Sequence, residues 1–139
     1  MNEREKIQRK IEKYEKSGQF YFAATHAMDS GLVEKAEELT PRAMEELIEK
    51  GEYELAALQA ESLGLIDKAD ELIQKQIKKY EEKKSFASAA FVAENAGLDK
   101  LAKELYQKGM EKAKEEGNIQ SVAFCASRLE LYGKVRGGK

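Results

Sequence analysis

The sequence contains very little of what most catalytic, metal and disulfide sites require. It has one histidine, one cysteine, one proline and no tryptophan in 139 residues. A single cysteine excludes a disulfide within the chain and is typical of a reducing compartment. A metal site built on nitrogen and sulfur needs more ligands than His26 and Cys125 supply together. We therefore expect no catalytic residue, no cofactor and no metal, and a protein that is not an enzyme.

Long apolar runs and an excess of charge of one sign are also missing. Charged residues make up 36% of the chain, but the formal net charge is only -2. No apolar run is longer than that at residues 20–24, which is too short to span a bilayer, and the charged N-terminus does not resemble a signal peptide. No continuous basic face with aromatic residues favours nucleic acid. These features predict a soluble cytoplasmic protein without a membrane partner, and they make a nucleic-acid partner a minor alternative.

What the sequence does contain is a repeat of 33 residues. The interval separates the glycines Gly31, Gly64 and Gly97, the leucines that follow them, and the alanines Ala36, Ala69 and Ala102. Before each glycine, apolar residues fall at the spacing of one helical face, as in Tyr53, Ala56, Ala57 and Ala60. Each unit is therefore predicted to be a short helix A, a tight turn at the glycine and a longer helix B.

The repeat predicts one all-α domain without strands, with the helix order B-A-B-A-B-A-B-A. A cap helix, three full repeats, a final helix A and a flexible tail are expected at residues 1–17, 18–50, 51–83, 84–116, 117–131 and 132–139. Pro41 falls inside the first full helix B, where a proline removes one backbone hydrogen bond. We expect a kinked or broken helix between Glu37 and Pro41, either as a tolerated defect or as a bend that shapes a groove.

The repeat resembles the tetratricopeptide repeat (TPR). The first aromatic position of that family is filled by Phe20, Tyr53 and Phe86, and its small position by Ala24, Ala57 and Ala90. The turn glycine and the first small residue of helix B are also present. The sequence departs from the family at the second aromatic position, which holds Ala27, Ala60 and Ala93, and in lacking the terminal proline. The resemblance implies a right-handed α-solenoid that binds a peptide or protein on a concave face lined by helix A.

Helix A has two columns of interest, a column being the residues at one position of successive repeats. We expect one column to belong mainly to the core, namely Thr25, Leu58, Phe91 and Phe124. The other either packs against helix B or lines an apolar pocket with a polar rim, and it contains Phe22, Leu55, Ser88 and Ser121. The candidate partner-binding residues are Tyr21, Phe22, His26, Asp29, Leu55, Gln59 and Ser62.

The charge distribution and the C-terminal end suggest further partners. The first two full repeats carry -4 and -3, whereas residues 1–17 carry +2 and residues 117–139 carry +3. This pattern fits a basic peptide or head-to-tail association, and ordinary solvation explains it equally well. The final helix A has no following helix B, so its apolar side chains could form a dimer interface. Candidate interface residues are Phe124, Leu129 and Leu131.

The leading functional hypothesis is a non-catalytic interaction module or scaffold that presents helix A to a peptide or protein. The alternative is a structural homo-oligomer that assembles through its uncapped C-terminal helix.

Overall fold

The computed structural model describes residues 1–135, and within this range the protein is entirely helical, as predicted. The eight helices in chain order are α1 (Glu3–Lys16), α2 (Phe20–Asp29), α3 (Val33–Glu49), α4 (Tyr53–Ser62), α5 (Ile66–Glu82), α6 (Phe86–Asn95), α7 (Asp99–Glu116) and α8 (Ile119–Val135). Short α2, α4 and α6 correspond to helix A of the sequence pattern, and longer α3, α5 and α7 to helix B. None of the described helices has both the length and the apolar composition needed to cross a membrane.

Glycines make the tight turns between each short helix and the longer helix that follows. Gly31, Gly64 and Gly97 have φ angles of +77°, +75° and +77°. This left-handed conformation is open to glycine at little steric cost. At the first of these turns the Leu32 amide donates to the Ala27 carbonyl at 2.8 Å, which satisfies an end of α2 as in a Schellman motif. The short helices therefore end where the sequence predicts.

The chain divides into two compact units, Met1–Leu72 and Ile73–Lys139. In unit 1, α1 packs on α2, α2 on α3, and α3 on α4. Its core is built from small and aliphatic residues, namely Ile11, Ala23, Ala24, Ala27, Ala36, Leu39 and Ala43. The alanines let α2 and α3 approach closely because they place little between the two backbones.

In unit 2, α7 packs against both α6 and α8. Tyr106 and Cys125, both with no exposed surface, belong to a core that also includes the alanines of α6. Gly109 lies at the closest approach of the helices, since a Cβ atom there would stand 3.2 Å from Cys125 Sγ and 3.3 Å from the Ala87 amide nitrogen. The lack of a side chain at Gly109 thus permits this packing.

Two local predictions need correction. Of the two alternatives at Pro41, the broken helix is wrong, because α3 runs from Val33 to Glu49 with Pro41 inside it, while the kink stays a prediction. Pro41 and Glu37 are both exposed, so water can hydrate the Glu37 carbonyl that loses its partner, and buried Thr40 donates its hydroxyl to the Ala36 carbonyl at 2.7 Å.

The C-terminal helix is longer than predicted. α8 continues to Val135, so residues 132–135 are helical and do not belong to a tail. Tyr132 is buried against the core of unit 2, which holds this last stretch in place. The rest of the predicted tail, residues 136–139, lies outside the described residues.

Candidate functional site

One side of each short helix is buried and consists mainly of alanine. In α4 these residues are Ala56, Ala57 and Ala60, none of which exposes more than 1% of its surface. The corresponding alanines of α2 and α6 are also buried. We call the opposite sides of α2, α4, α6 and α8 the helix-A faces, and the candidate partner-binding residues lie on α2 and α4.

The helix-A faces expose a column of large apolar side chains. Leu58, Phe91 and Phe124 expose 54%, 49% and 45% of their surfaces, and Thr25 in the same column is exposed. The prediction that this column belongs mainly to the core was therefore wrong. Leu58 directly follows the buried Ala57, and one residue turns an α-helix by about 100°. The rotation places the Leu58 side chain outside the helix–helix contact that the alanines form.

In unit 1 the structure brings three candidate residues, Tyr21, Phe22 and His26, into one aromatic cluster. The ring of Phe22 lies 5.9 Å from that of Tyr14 and 6.1 Å from that of Tyr21, and the Tyr14 and His26 rings are 6.3 Å apart. Phe22 nevertheless exposes 51% of its surface. The His26 Nε2 atom is buried without a hydrogen-bond partner. Tyr14 was not among the candidate residues, because it lies on α1, outside the helix-A columns.

The remaining candidates of unit 1 lie at different depths. Asp29 is exposed at the end of α2, while Leu55 and Gln59 are half-buried on α4. Ser62 is exposed and donates its hydroxyl to the Leu58 carbonyl at 3.1 Å. Among the residues described for unit 1, no hydrogen bond, ion pair or ring contact joins these α4 residues to the aromatic cluster.

Glu46 of α3 caps the N-terminal end of α2 through a side-chain hydrogen bond. Its Oε1 accepts a hydrogen bond from the Tyr21 amide at 3.0 Å, and its Oε2 accepts one from Lys50 Nζ at 2.8 Å. Burial alone would raise the pKa of Glu46, but the hydrogen bonds from Lys50 and Tyr21 outweigh it and lower the pKa. The charged carboxylate therefore satisfies an amide at the positive end of α2, where Gln19 provides no side-chain cap.

In unit 2 a charged cluster ties together α6, α7 and α8. Glu94 accepts hydrogen bonds from the Tyr106 hydroxyl, at 2.7 Å, and from the Arg128 guanidinium. Burial raises the pKa of Glu94, but the bonds from Arg128 and Tyr106 prevail and lower it. The Tyr106 ring also packs edge-on against Phe124, with centroids 6.0 Å apart. Sequence reasoning missed this cluster, since nothing in the repeat pattern pairs Glu94 with Arg128.

The predicted oligomer residues do not share one environment. Phe124 and Leu131 expose 45% and 43% of their surfaces, whereas Leu129 is half-buried against the core of its own unit. Ile119 was not among the candidates, yet it exposes 80% of its surface. An exposed apolar surface on α8 is therefore present, with Leu129 turned inward.

The histidine, cysteine and carboxylate side chains of the described residues are spread over the fold. No group of three or more His, Cys, Asp or Glu side chains in this part of the chain could hold a metal ion. Cys125 is fully buried, and burial raises the pKa of its thiol, which favours the unreactive protonated form. A concavity of unit 1 lies between α1 and the start of α3, is lined by residues such as Arg4, Gln8 and Glu12, and includes none of the predicted partner-binding residues.

Comparisons with known proteins give no further guide. No family model, no curated protein and no solved structure matches the chain. The TPR resemblance consequently remains a prediction from the sequence, and the function has to be argued from the helix-A faces themselves.

Proposed function

We propose that the protein is a non-catalytic interaction module or scaffold that binds a peptide or protein on its helix-A faces. One observation carries the proposal: Leu58, Phe91 and Phe124 occupy the same repeat position, and each is about half exposed. Single exposed apolar residues are ordinary on protein surfaces. Their recurrence at one position favours a surface that a partner covers, and on α4 and α6 the opposite side of the helix is buried alanine.

The architecture in this proposal is a right-handed, TPR-like α-solenoid with a 33-residue period. Support comes from the short helices, which begin at Phe20, Tyr53 and Phe86, and from the three left-handed turn glycines. Two-helix units of this kind bury their apolar sides by stacking and commonly bind ligands along an extended surface. The proposal includes a cytoplasmic location and no cofactor, metal, membrane or nucleic-acid partner.

Selection from a displayed peptide library tests the proposal. Peptides selected on the full chain should bind roughly 5- to 30-fold more weakly to the Leu58→Ser variant or to the Phe91→Ser variant, since an exposed apolar anchor contributes on the order of 1–2 kcal/mol. Ile66→Ser provides a matched control, because Ile66 exposes 59% of its surface and belongs to α5, outside the helix-A faces. Selected peptides that bind all three variants like the parent chain would refute the proposal.

A second candidate function is a structural homo-oligomer, namely a dimer, that assembles through α8. The observation that favours it is the exposure of Ala123 and Ala126, whose counterparts Ala90 and Ala93 in α6 are completely buried. Ile119 lies on the same side of α8 at helical spacing. This candidate predicts a dimer in size-exclusion chromatography with light scattering, and an Ala126→Glu variant should be monomeric. A monomer at all concentrations would rule it out.

A further inference from the structure

We infer that the helix-A face of unit 1 binds a basic peptide segment, in which lysine or arginine side chains flank an apolar anchor. The inference rests on the proposed function and adds the chemistry of the partner. It concerns α2 and α4, whose exposed sides combine apolar side chains with carboxylates.

The short helices contain no positive side chain at all. The sequences of α2, α4 and α6 include no lysine or arginine, although the chain has 24 of them, and they carry Asp29, Glu54, Glu61 and Glu94. Helices α3, α5 and α7 carry charges of both signs. The short helices that bear the exposed apolar column thus carry carboxylates without lysine or arginine, whereas α3, which has six glutamates, also carries Lys35 and Arg42.

The negative charge of unit 1 is not compensated at this face. The side-chain carboxylates of Asp29, Glu54 and Glu61 form no ion pair or hydrogen bond with the residues described for unit 1. In contrast, Arg128 neutralises Glu94 in unit 2, and Lys50 neutralises Glu46 of α3. Uncompensated carboxylates thus distinguish the helix-A face of unit 1 from that of unit 2.

The carboxylates are placed next to the apolar anchors. Glu54 precedes Leu58 by four residues and Glu61 follows it by three, so one carboxylate lies a helical turn away on each side of the exposed leucine. On α2, Asp29 follows Phe22 by two turns and therefore shares its side of the helix. A ligand whose apolar side chain covers Leu58 would place its neighbouring side chains beside Glu54 and Glu61.

Helix direction adds to the negative potential. Asp29 is the last residue of α2, and Glu61 lies in the last turn of α4. Carboxylates are unfavourable at helix C-termini, where the backbone carbonyls already carry partial negative charge. Both helices connect to α3 through short turns and pack on it, so they run in the same direction. A cationic side chain relieves this repulsion at both ends, whereas an acidic ligand increases it.

Fluorescence anisotropy with three labelled peptides tests the inference. The first alternates lysine with leucine and phenylalanine, the second has glutamine at every lysine position, and the third has glutamate there. The full chain should bind the lysine peptide most tightly and the glutamate peptide most weakly, and added salt should weaken only the lysine peptide. An Asp29→Asn/Glu61→Gln variant should bind the lysine peptide roughly 3- to 10-fold more weakly, with the glutamine peptide unaffected.

The control variant is Glu37→Gln/Glu45→Gln, which makes the same change in net charge on exposed positions of α3. It should bind the lysine peptide like the parent chain. Because carboxylates at helix ends are unfavourable, the Asp29→Asn/Glu61→Gln variant should also unfold at the same temperature as the parent or a higher one. Weaker binding together with unchanged or greater stability would separate a binding role from a structural one.

Three results would overturn the inference. One is equal binding of the lysine and glutamine peptides, and another is an equal loss in the control variant. In either case, binding that is still lost on Leu58→Ser would leave the proposed function standing. The third result is that the Leu58→Ser change weakens the binding of none of the peptides. That result would contradict both the inference and the proposed function of this face.

Discussion

Gly109 offers the most direct test of how tightly the helices of unit 2 pack. It lies within α7, where alanine is favoured over glycine by about 1 kcal/mol on helix propensity alone. An added Cβ would stand 3.2 Å from Cys125 Sγ and 3.3 Å from the Ala87 amide nitrogen, both closer than ordinary contact. Both neighbours lie in packed helices and cannot retreat easily. Overpacking of this kind costs about 1–3 kcal/mol, so Gly109→Ala should destabilise the protein by about 1 kcal/mol net.

Urea unfolding followed by circular dichroism measures the change as a shift in the midpoint at constant slope. The matched control is Gly133→Ala: Gly133 also lies in a helix, α8, but a Cβ there would meet no atom within 4 Å. Gly133→Ala should therefore stabilise the protein, by about 0.5 kcal/mol because the position is near a helix end.

A second variant identifies the source of the strain. In a Cys125→Ala background the closest neighbour of the new Cβ is gone, so Gly109→Ala should cost about 0.5 kcal/mol less than in the parent chain. If Gly109→Ala is as stable as the parent, or if its cost is unchanged without Cys125 Sγ, α7 and α8 do not approach as closely as the structure requires.

Three further predictions concern single residues. Lys84 has a left-handed φ of +59° at a turn position where the other repeats have glycine. Lys84→Gly should therefore raise the free energy of unfolding by about 0.5–1 kcal/mol. A decrease in the urea midpoint would contradict this prediction. Pro41→Ala restores a backbone hydrogen bond within α3 and should stabilise by about 2 kcal/mol in the same assay, with no gain as the contrary result. Tyr106→Phe removes a hydrogen bond to charged Glu94 and should cost about 1–2 kcal/mol. Because the pKa of Glu94 is lowered in the folded state, the charged Glu94 stabilises the fold above the unfolded pKa of about 4.3, and this stabilisation is lost as the pH falls through the folded pKa. Tyr106→Phe should therefore flatten the dependence of stability on acid pH. An unchanged pH profile of stability would contradict this prediction.

Much of the fold follows from local chemistry and could be predicted. Gly64 and Gly97 mark turns because the left-handed conformation is local and favours glycine. The alanines before them mark the buried side because their spacing matches one helical face. Lys84 could be aligned with the glycines of its column, but its left-handed conformation was not predicted, since lysine gives no local signal for it.

The candidate site was less predictable, because exposure depends on which neighbouring helix covers a side chain. Helical spacing shows that Leu58 and Phe91 are apolar and periodic, and that pattern alone led to their assignment to the core. Only the packing of the alanines against the adjacent long helices shows that the column beside them faces outward. The pairing of Glu94 with Arg128 likewise depends on how α6 and α8 lie against α7.

Peptide binding on the helix-A faces is tested most directly by an amide chemical-shift titration. Isotope-labelled protein would be titrated with the lysine peptide, and each backbone amide followed by NMR. We predict that the largest shifts fall on α2 and α4, around Phe22, Leu58 and Glu61, while the exposed side of α3 around Glu37 and Glu45 stays unchanged. Shifts that cluster on α3, or on the concavity between α1 and α3, would place the binding surface elsewhere and contradict the account.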